Sequence, residues 1–262
     1  MTLRSFLLPA LAAAQLFAQA DDPPFPPHRV IGNIYYVGST NLASFLITTP
    51  RGHILINSCY ERTVPLIEAS VEKLGFHFRD IHILLDSHAH GDHVAGNPLV
   101  KQLTGATVMV MAEDAAAVPG GIDRILHNGD QVKLGGMALT AHLTPGHTPG
   151  ATTWTMTATD AGKPYHVVIS RSIGVNPGYV LVNNSKYLRI ADDYRRSFEV
   201  MRALPCDVYL APHGAQYGLV EKYARLEKGG PNPFIDPQGY RAYVDNSEKL
   251  FLGKLDEQKR GQ

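Results

Sequence analysis

Apolar positions along this chain come in short blocks whose spacing changes from two-fold to helical and back. Residues 30–36, 43–49 and 53–57 are rich in β-branched and aromatic side chains and separated by Gly, Ser and Pro, a pattern that predicts strands. Over residues 61–75 the apolar side chains Val64, Ile67, Val71 and Leu74 recur at helical spacing, which predicts an amphipathic helix. Ile81–Leu85 is a largely apolar run, read as a buried strand, and a helix is expected to follow it through Leu103. Further strands are expected at 106–111, 152–157, 166–170 and Val208–Leu210. Gln131–Leu134 and Met137–Leu143 read as a hairpin about Gly135-Gly136. Residues 187–204 and 237–259 carry helical patterns. Strands mixed with helices throughout favour an α/β (α+β) chain with two sheets covered by helices on their outer faces.

Composition narrows the possibilities. The chain has 262 residues, 44% apolar and 18% charged, enough for one sizeable core. Its 24 basic and 24 acidic residues cancel, and no Lys/Arg stripe stands out, which argues against a nucleic-acid partner and for a small-molecule substrate. Arg4, the apolar run 6–17 and Ala18-Gln19-Ala20 read as a secretory signal peptide over residues 1–20, leaving one domain over 21–262. The run is shorter than the ~20 residues a spanning helix needs, so no membrane anchor is expected. Export implies a periplasmic protein, expected to be a monomer. Only Cys59 and Cys206 are present, neither in an activating setting.

The chemistry concentrates after Ile81–Leu85. His88, His90, Asp92 and His93 place four potential ligands in six positions between a strand and a helix. Neutral imidazole and carboxylate are zinc ligands, and a solvated polar loop is the weaker reading of such density. His147 follows Met137–Leu143 inside Thr144-Pro145-Gly146-His147-Thr148-Pro149-Gly150, where Gly and Pro fix an unusual backbone path. His213, in Ala211-Pro212-His213-Gly214, follows Val208–Leu210. Three strand ends thus offer ligands that could converge on one edge. The other histidines (28, 53, 77, 82, 127, 142 and 166) are read as structural.

Taken together, His88-Ala89-His90-Gly91-Asp92-His93, Gly146-His147-Thr148-Pro149-Gly150 and Pro212-His213-Gly214 resemble the motifs of the metallo-β-lactamase superfamily, and within it class B β-lactamases of the third subclass. The likeness runs over nearly all of 21–262, including Val175-Asn176-Pro177-Gly178-Tyr179 and Asn232-Pro233-Phe234-Ile235-Asp236-Pro237. It implies a four-layer αββα sandwich holding two zinc ions. His88, His90 and His147 would bind the first, and Asp92, His93 and His213 the second. The implied activity is opening of the β-lactam amide of penicillins, cephalosporins and carbapenems by a metal-held hydroxide, with Asp92 orienting the nucleophile.

The same fold hosts thioesterases, lactonases and phosphodiesterases, so another exported hydrolase is the alternative, and a non-catalytic metal-binding domain a third. Many such relatives carry a metal-bridging aspartate at the end of the strand matching 166–170. Here Val168-Ile169-Ser170-Arg171-Ser172 has no carboxylate, which favours the lactamase reading. Ser172, or Ser170 one slip away, resembles the serine that binds the substrate carboxylate; an exposed turn serine is the alternative. Tyr179 is either a donor to the developing oxyanion or a packing tyrosine. Asp86 either orients a ligating histidine or is a solvated strand-end carboxylate. Many members bridge the cysteine matching Cys206 to one in the final helix, but Tyr240 stands at that position. Residues 112–124 are short compared with members that carry a long loop there, implying a more open groove.

Overall fold

The computed structural model describes residues 22–261, so the expected signal peptide over 1–20 lies outside the described residues. Residues 30–36 form a hairpin rather than one strand: β1 (His28–Ile31) and β2 (Ile34–Tyr36) pair antiparallel around Gly32-Asn33. Gly32 adopts φ 52°, in the left-handed region that glycine tolerates, and a Cβ there would come within 2.7 Å of the Thr159 carbonyl oxygen. The chain therefore turns where the sheets approach each other.

β3 (Phe45–Thr49) and β4 (Gly52–Ile56) continue the antiparallel part, and β5 (Ile81–Leu85), β6 (Thr107–Met111) and β7 (Arg124–Leu126) add in parallel. The seven strands lie in sequence order. Helix α1 (Val64–Lys73) connects β4 to β5. Between β5 and β6 the single expected helix is two, α2 (Gly91–Val94) and α3 (Asn97–Thr104), separated at Ala95-Gly96. A Cβ at Gly96 would meet Val64 and Ser58 within 3 Å, so this break lets the second helix pack against the start of α1.

The second sheet has the order β12-β11-β10-β9-β8, built from β8 (Gln131–Leu134), β9 (Met137–Leu143), β10 (Thr152–Asp160), β11 (Lys163–Ile169) and β12 (Val208–Leu210). β12 runs parallel to β11 and is reached through α4 (Ile190–Ala203). Two helices follow, α5 (Leu219–Glu227) and α6 (Pro237–Arg260). The Asp236 side chain caps α6 by accepting the Gly239 N–H at 2.8 Å.

Strand alternation divides the apolar side chains between two cores. Ile54, Ile56, Ile83, Leu85, Met109 and Met111 face the second sheet and join Leu139, Trp154 and Met156. Leu55, Leu84, Val108 and Val110 face the other way, onto Val64, Ile67 and Val71 of α1. Covering both faces explains why β5 and β6 read as largely apolar runs, with the exposed His82 the polar exception inside β5. Tyr194 and Phe198 of α4 and Phe251 of α6 stack on one another and belong to the core that includes the second sheet. The result is a four-layer αββα arrangement. Among the described residues no helix is long and apolar enough to cross a membrane.

Register places the functional ends together. β10 pairs Thr152 with Leu143 of β9 and Trp154 with Ile169 of β11, so the C-terminal ends of β9, β11 and β12 share one edge. The Thr152 N–H donates to the Ser87 carbonyl at 2.8 Å, joining that edge to the end of β5.

Candidate metal centre

All six predicted ligands meet at this edge. Donor atoms of His88, His90 and His147 lie within 4.8 Å of one another, and the same holds for His88, Asp92 and His93. His213 completes the cluster: its Nε2 is 3.6 Å from Asp92 Oδ2, and its ring centroid is 4.9 Å from that of His93.

Local hydrogen bonds determine which ring nitrogen each histidine leaves free. His88 Nδ1 is 3.1 Å from Ser87 Oγ, while its buried Nε2 has no hydrogen-bond partner. His147 Nδ1 donates to the Gly174 carbonyl at 3.0 Å, leaving Nε2. His90 Nε2 lies 3.2 Å from the Tyr179 hydroxyl, which itself donates to the His147 carbonyl at 2.8 Å. The phenol proton is thereby committed, so the His90 contact requires an Nε2–H donor and leaves Nδ1 free. His93 Nδ1 is also buried without a partner. Buried imidazole nitrogens left unpaired are costly unless something binds them, and this donor set fits zinc.

Electrostatics favour the same state. Burial, reinforced by neighbouring histidines, holds His88 well below the usual histidine range. Burial lowers His90, and lowers His147 to about 3 and His213 to about 4, with Arg171 adding to the effect on His147. These rings are neutral at pH 7 and able to ligate. Burial opposes ionisation of Asp92, but the bond from His93 and the proximity of His93 and His213 outweigh it and hold the carboxyl below its ordinary range.

The loop geometry is sequence-encoded. Gly146 takes φ 123°, and a Cβ there would meet the Tyr194 ring at 2.7 Å. The Pro145 carbonyl accepts from Ser197 Oγ at 2.6 Å and from the Arg171 guanidinium at 3.3 Å. Arg171 is fully buried just past the end of β11, in the stretch that carries no carboxylate, and its guanidinium lies over the Tyr194 ring.

Other expected residues fall differently. Ser172 is buried rather than an exposed turn serine; its hydroxyl receives Gln216 Nε2 at 3.3 Å. Ser170 is also buried and donates to the Arg171 carbonyl. Asp86 is buried, not solvated: it accepts from Asn97 Nδ2 at 2.8 Å, and burial raises its carboxyl to about 7. Its partner is thus an asparagine rather than a ligating histidine. Both cysteines are free, and Tyr240, at the position of the relatives' second cysteine, donates to the Met201 carbonyl.

Two positions carried no signal in the sequence. Gln258 of α6 clamps the Tyr179 segment, donating to the Tyr179 carbonyl and accepting the Leu181 N–H, each at 2.7 Å. Asp114, in the 3-10 turn Ala112–Ala117 after β6, is buried and accepts from the Ala89 N–H (3.0 Å), Thr148 Oγ1 (2.6 Å) and the Gly150 N–H (2.7 Å). The Gly-Pro frame of 144–150 announced a constrained loop, but not the carboxylate that holds it. Beside the ligands, a cleft of about 580 Å³ is lined by His147, Tyr179, Asn183, Lys186, Tyr187 and their neighbours.

A four-layer sandwich with clustered imidazole and carboxylate donors at the strand ends defines a metal-binding hydrolase architecture, and comparison with known proteins specifies it. The family model of the metallo-beta-lactamase superfamily matches residues 39–160. The native FEZ-1 metallo-beta-lactamase from Legionella gormanii is 49% identical, with a TM-score of 0.89, over 91% of this chain and 98% of that one. BJP-1, a subclass B3 metallo-beta-lactamase of Bradyrhizobium japonicum, is 36% identical with a TM-score of 0.86, over 92% of this chain and 97% of that one. Among curated proteins, the hydroxyacylglutathione hydrolase of Chelativorans sp. is 40% identical over 72 residues, a match spanning 28% of each chain. The chain belongs to the metallo-beta-lactamase superfamily, in the group of its subclass B3 members.

Proposed function

We propose that this protein hydrolyses the amide bond of β-lactam antibiotics with two zinc ions. His88, His90 and His147 hold one, and Asp92, His93 and His213 the other. The observation that carries this reading is the convergence of these six side chains, with His88 Nε2 and His93 Nδ1 buried and unpartnered, beside an open cleft. Full-length similarity to subclass B3 enzymes supports the substrate class. When bound, zinc supplies a Lewis acid and lowers the pKa of a coordinated water to about 7.

The chain's own groups then have separable tasks. Neutral His88, His90 and His147 present one nitrogen each, with their second nitrogens engaged by Ser87, Tyr179 and Gly174. Asp92, ionised across the neutral range beside His93 and His213, would accept a hydrogen bond from the nucleophile and orient it. The cleft is of a size that suits a bicyclic substrate, and Lys186 on its wall offers an ammonium for a substrate carboxylate. The leader over 1–20 would direct a monomeric enzyme to the periplasm.

A second reading, thioester hydrolysis, draws on the hydroxyacylglutathione hydrolase matches. The buried Arg171 at the strand end where thioesterase-type relatives carry a bridging carboxylate favours the lactam. Purified protein is expected to hydrolyse a chromogenic cephalosporin, to lose that activity to a chelator and to recover it with zinc. Chelator-sensitive turnover of a glutathione thioester with no lactam turnover would establish the second reading instead.

A further inference from the structure

Two loops supply the proposed first zinc set, and one buried carboxylate outside that set holds them together. The loop after β5 carries His88 and His90 on either side of Ala89; the loop after β9 carries His147 just before Thr148. Asp114 Oδ2 accepts from the Ala89 N–H at 3.0 Å and from Thr148 Oγ1 at 2.6 Å, and Oδ1 accepts from the Gly150 N–H at 2.7 Å. Packing confirms a fitted junction: a Cβ on Gly150 would lie 2.4 Å from the Asp114 nitrogen and 2.7 Å from its Cβ. Position 150 must be glycine for the carboxylate to reach both loops.

The second set is anchored elsewhere. The Cys59 N–H donates to the His93 carbonyl at 3.1 Å. The segment around His213 is tied to residues 41–43 by Ala43 N–H to Pro212 O (2.9 Å) and Gly214 N–H to Asn41 O (2.7 Å). None of these bonds involves Asp114.

We propose that Asp114 is a positioning residue that fixes the spacing between His88, His90 and His147 and so sets the zinc affinity of that triad alone. The proposal rests on the assignment of the two zinc sets above. The carboxylate is essential because all three of its partners arrive as donors. An asparagine amide offers one acceptor oxygen, so with either orientation its NH2 faces a backbone N–H, that of Ala89 or that of Gly150. The loops must then separate, and the triad loses its spacing.

The test reads zinc binding in protein stripped by chelator. In a His213→Ala background, where titration reports the His88/His90/His147 set, Asp114→Asn is expected to weaken zinc binding roughly 10–100-fold, the range for losing a partner that orients ligands. In a His147→Ala background, which reports the Asp92/His93/His213 set, the same change is expected to leave affinity within about twofold. Thr148→Val, which keeps the carboxylate and both backbone bonds, should produce a smaller loss confined to the first set. It carries the test if Asp114→Asn does not fold. Unchanged affinity in the first background, or equal losses in both, overturns the proposal. The readout does not depend on lactam turnover, so an enzyme with a different substrate would leave it intact.

Discussion

Replacing Tyr179 by phenylalanine separates two roles that this side chain could serve. The change removes one hydroxyl and two hydrogen bonds, the 2.8 Å donation to the His147 carbonyl and the 3.2 Å contact with His90 Nε2. The ring should stay in place, because the Tyr179 N–H donates to the Asn176 carbonyl and Gln258 holds the Tyr179 carbonyl and the Leu181 N–H. Each bond contributes about 0.5–1.5 kcal/mol net, and water can replace part of that at a half-buried site, so folding stability should fall by about 1 kcal/mol. The larger effect falls on His90, whose ring loses the partner that engages Nε2 and orients the free Nδ1. Weakening of the first zinc by about tenfold, some 1.4 kcal/mol, is expected. Steady-state hydrolysis of a chromogenic cephalosporin should therefore drop at limiting zinc and return to near the parent kcat with excess zinc. An oxyanion donor would behave otherwise, since its loss costs about 10²–10³ in kcat whatever the metal supply. A zinc-insensitive kcat loss of that size would refute the positioning role.

Other substitutions probe separate parts of the account. Asp92→Asn should leave the fold unchanged by circular dichroism but lower kcat/KM roughly 10²–10⁴-fold, since it removes the ionised acceptor beside His93 and His213; parent rates would contradict its role. Trp154→Phe, at a site 1% exposed, empties part of the inter-sheet core and orphans the Asp86 carbonyl that accepts from Nε1 at 3.0 Å. Urea unfolding should show a loss of about 2–3 kcal/mol with little effect on zinc stoichiometry. Burial pushes the Cys206 thiol up to about 12. Because the thiolate is the reactive form, alkylation of the folded protein should be slow at pH 8 and rise about tenfold per pH unit toward pH 10, and a plateau near pH 9 would show an unshifted thiol.

The elements legible in the sequence were those whose burial leaves a periodic trace. β5 and β12 occupy the expected residues because both are short, wholly apolar or nearly so, and bounded by turn residues. The β8–β9 hairpin was marked by Gly135-Gly136, both at positive φ. β7 was missed: it has three residues, two of them exposed, at the edge of its sheet. α5 was missed as well, for with only Leu219 and Lys222 buried it shows little apolar periodicity. The candidate ligands are visible in the sequence because four of them crowd into six positions and the other two follow strand ends. Their supports are not. Asp114 lies 25 residues from Ala89 and 34 from Thr148, and Gln258 lies 79 from Tyr179, so only the folded chain brings these partners together. Asp86 follows neither of its two readings, because strand position alone does not reveal that Asn97 returns over it.

Anomalous diffraction at the zinc edge, from crystals grown after equilibration with zinc, addresses the metal assignment without reference to substrate. Two zinc peaks are expected, one surrounded by His88 Nε2, His90 Nδ1 and His147 Nε2, the other by Asp92, His93 and His213. No peak at this edge of the sandwich, or zinc held by other residues, would contradict the assignment and the hydrolysis built on it.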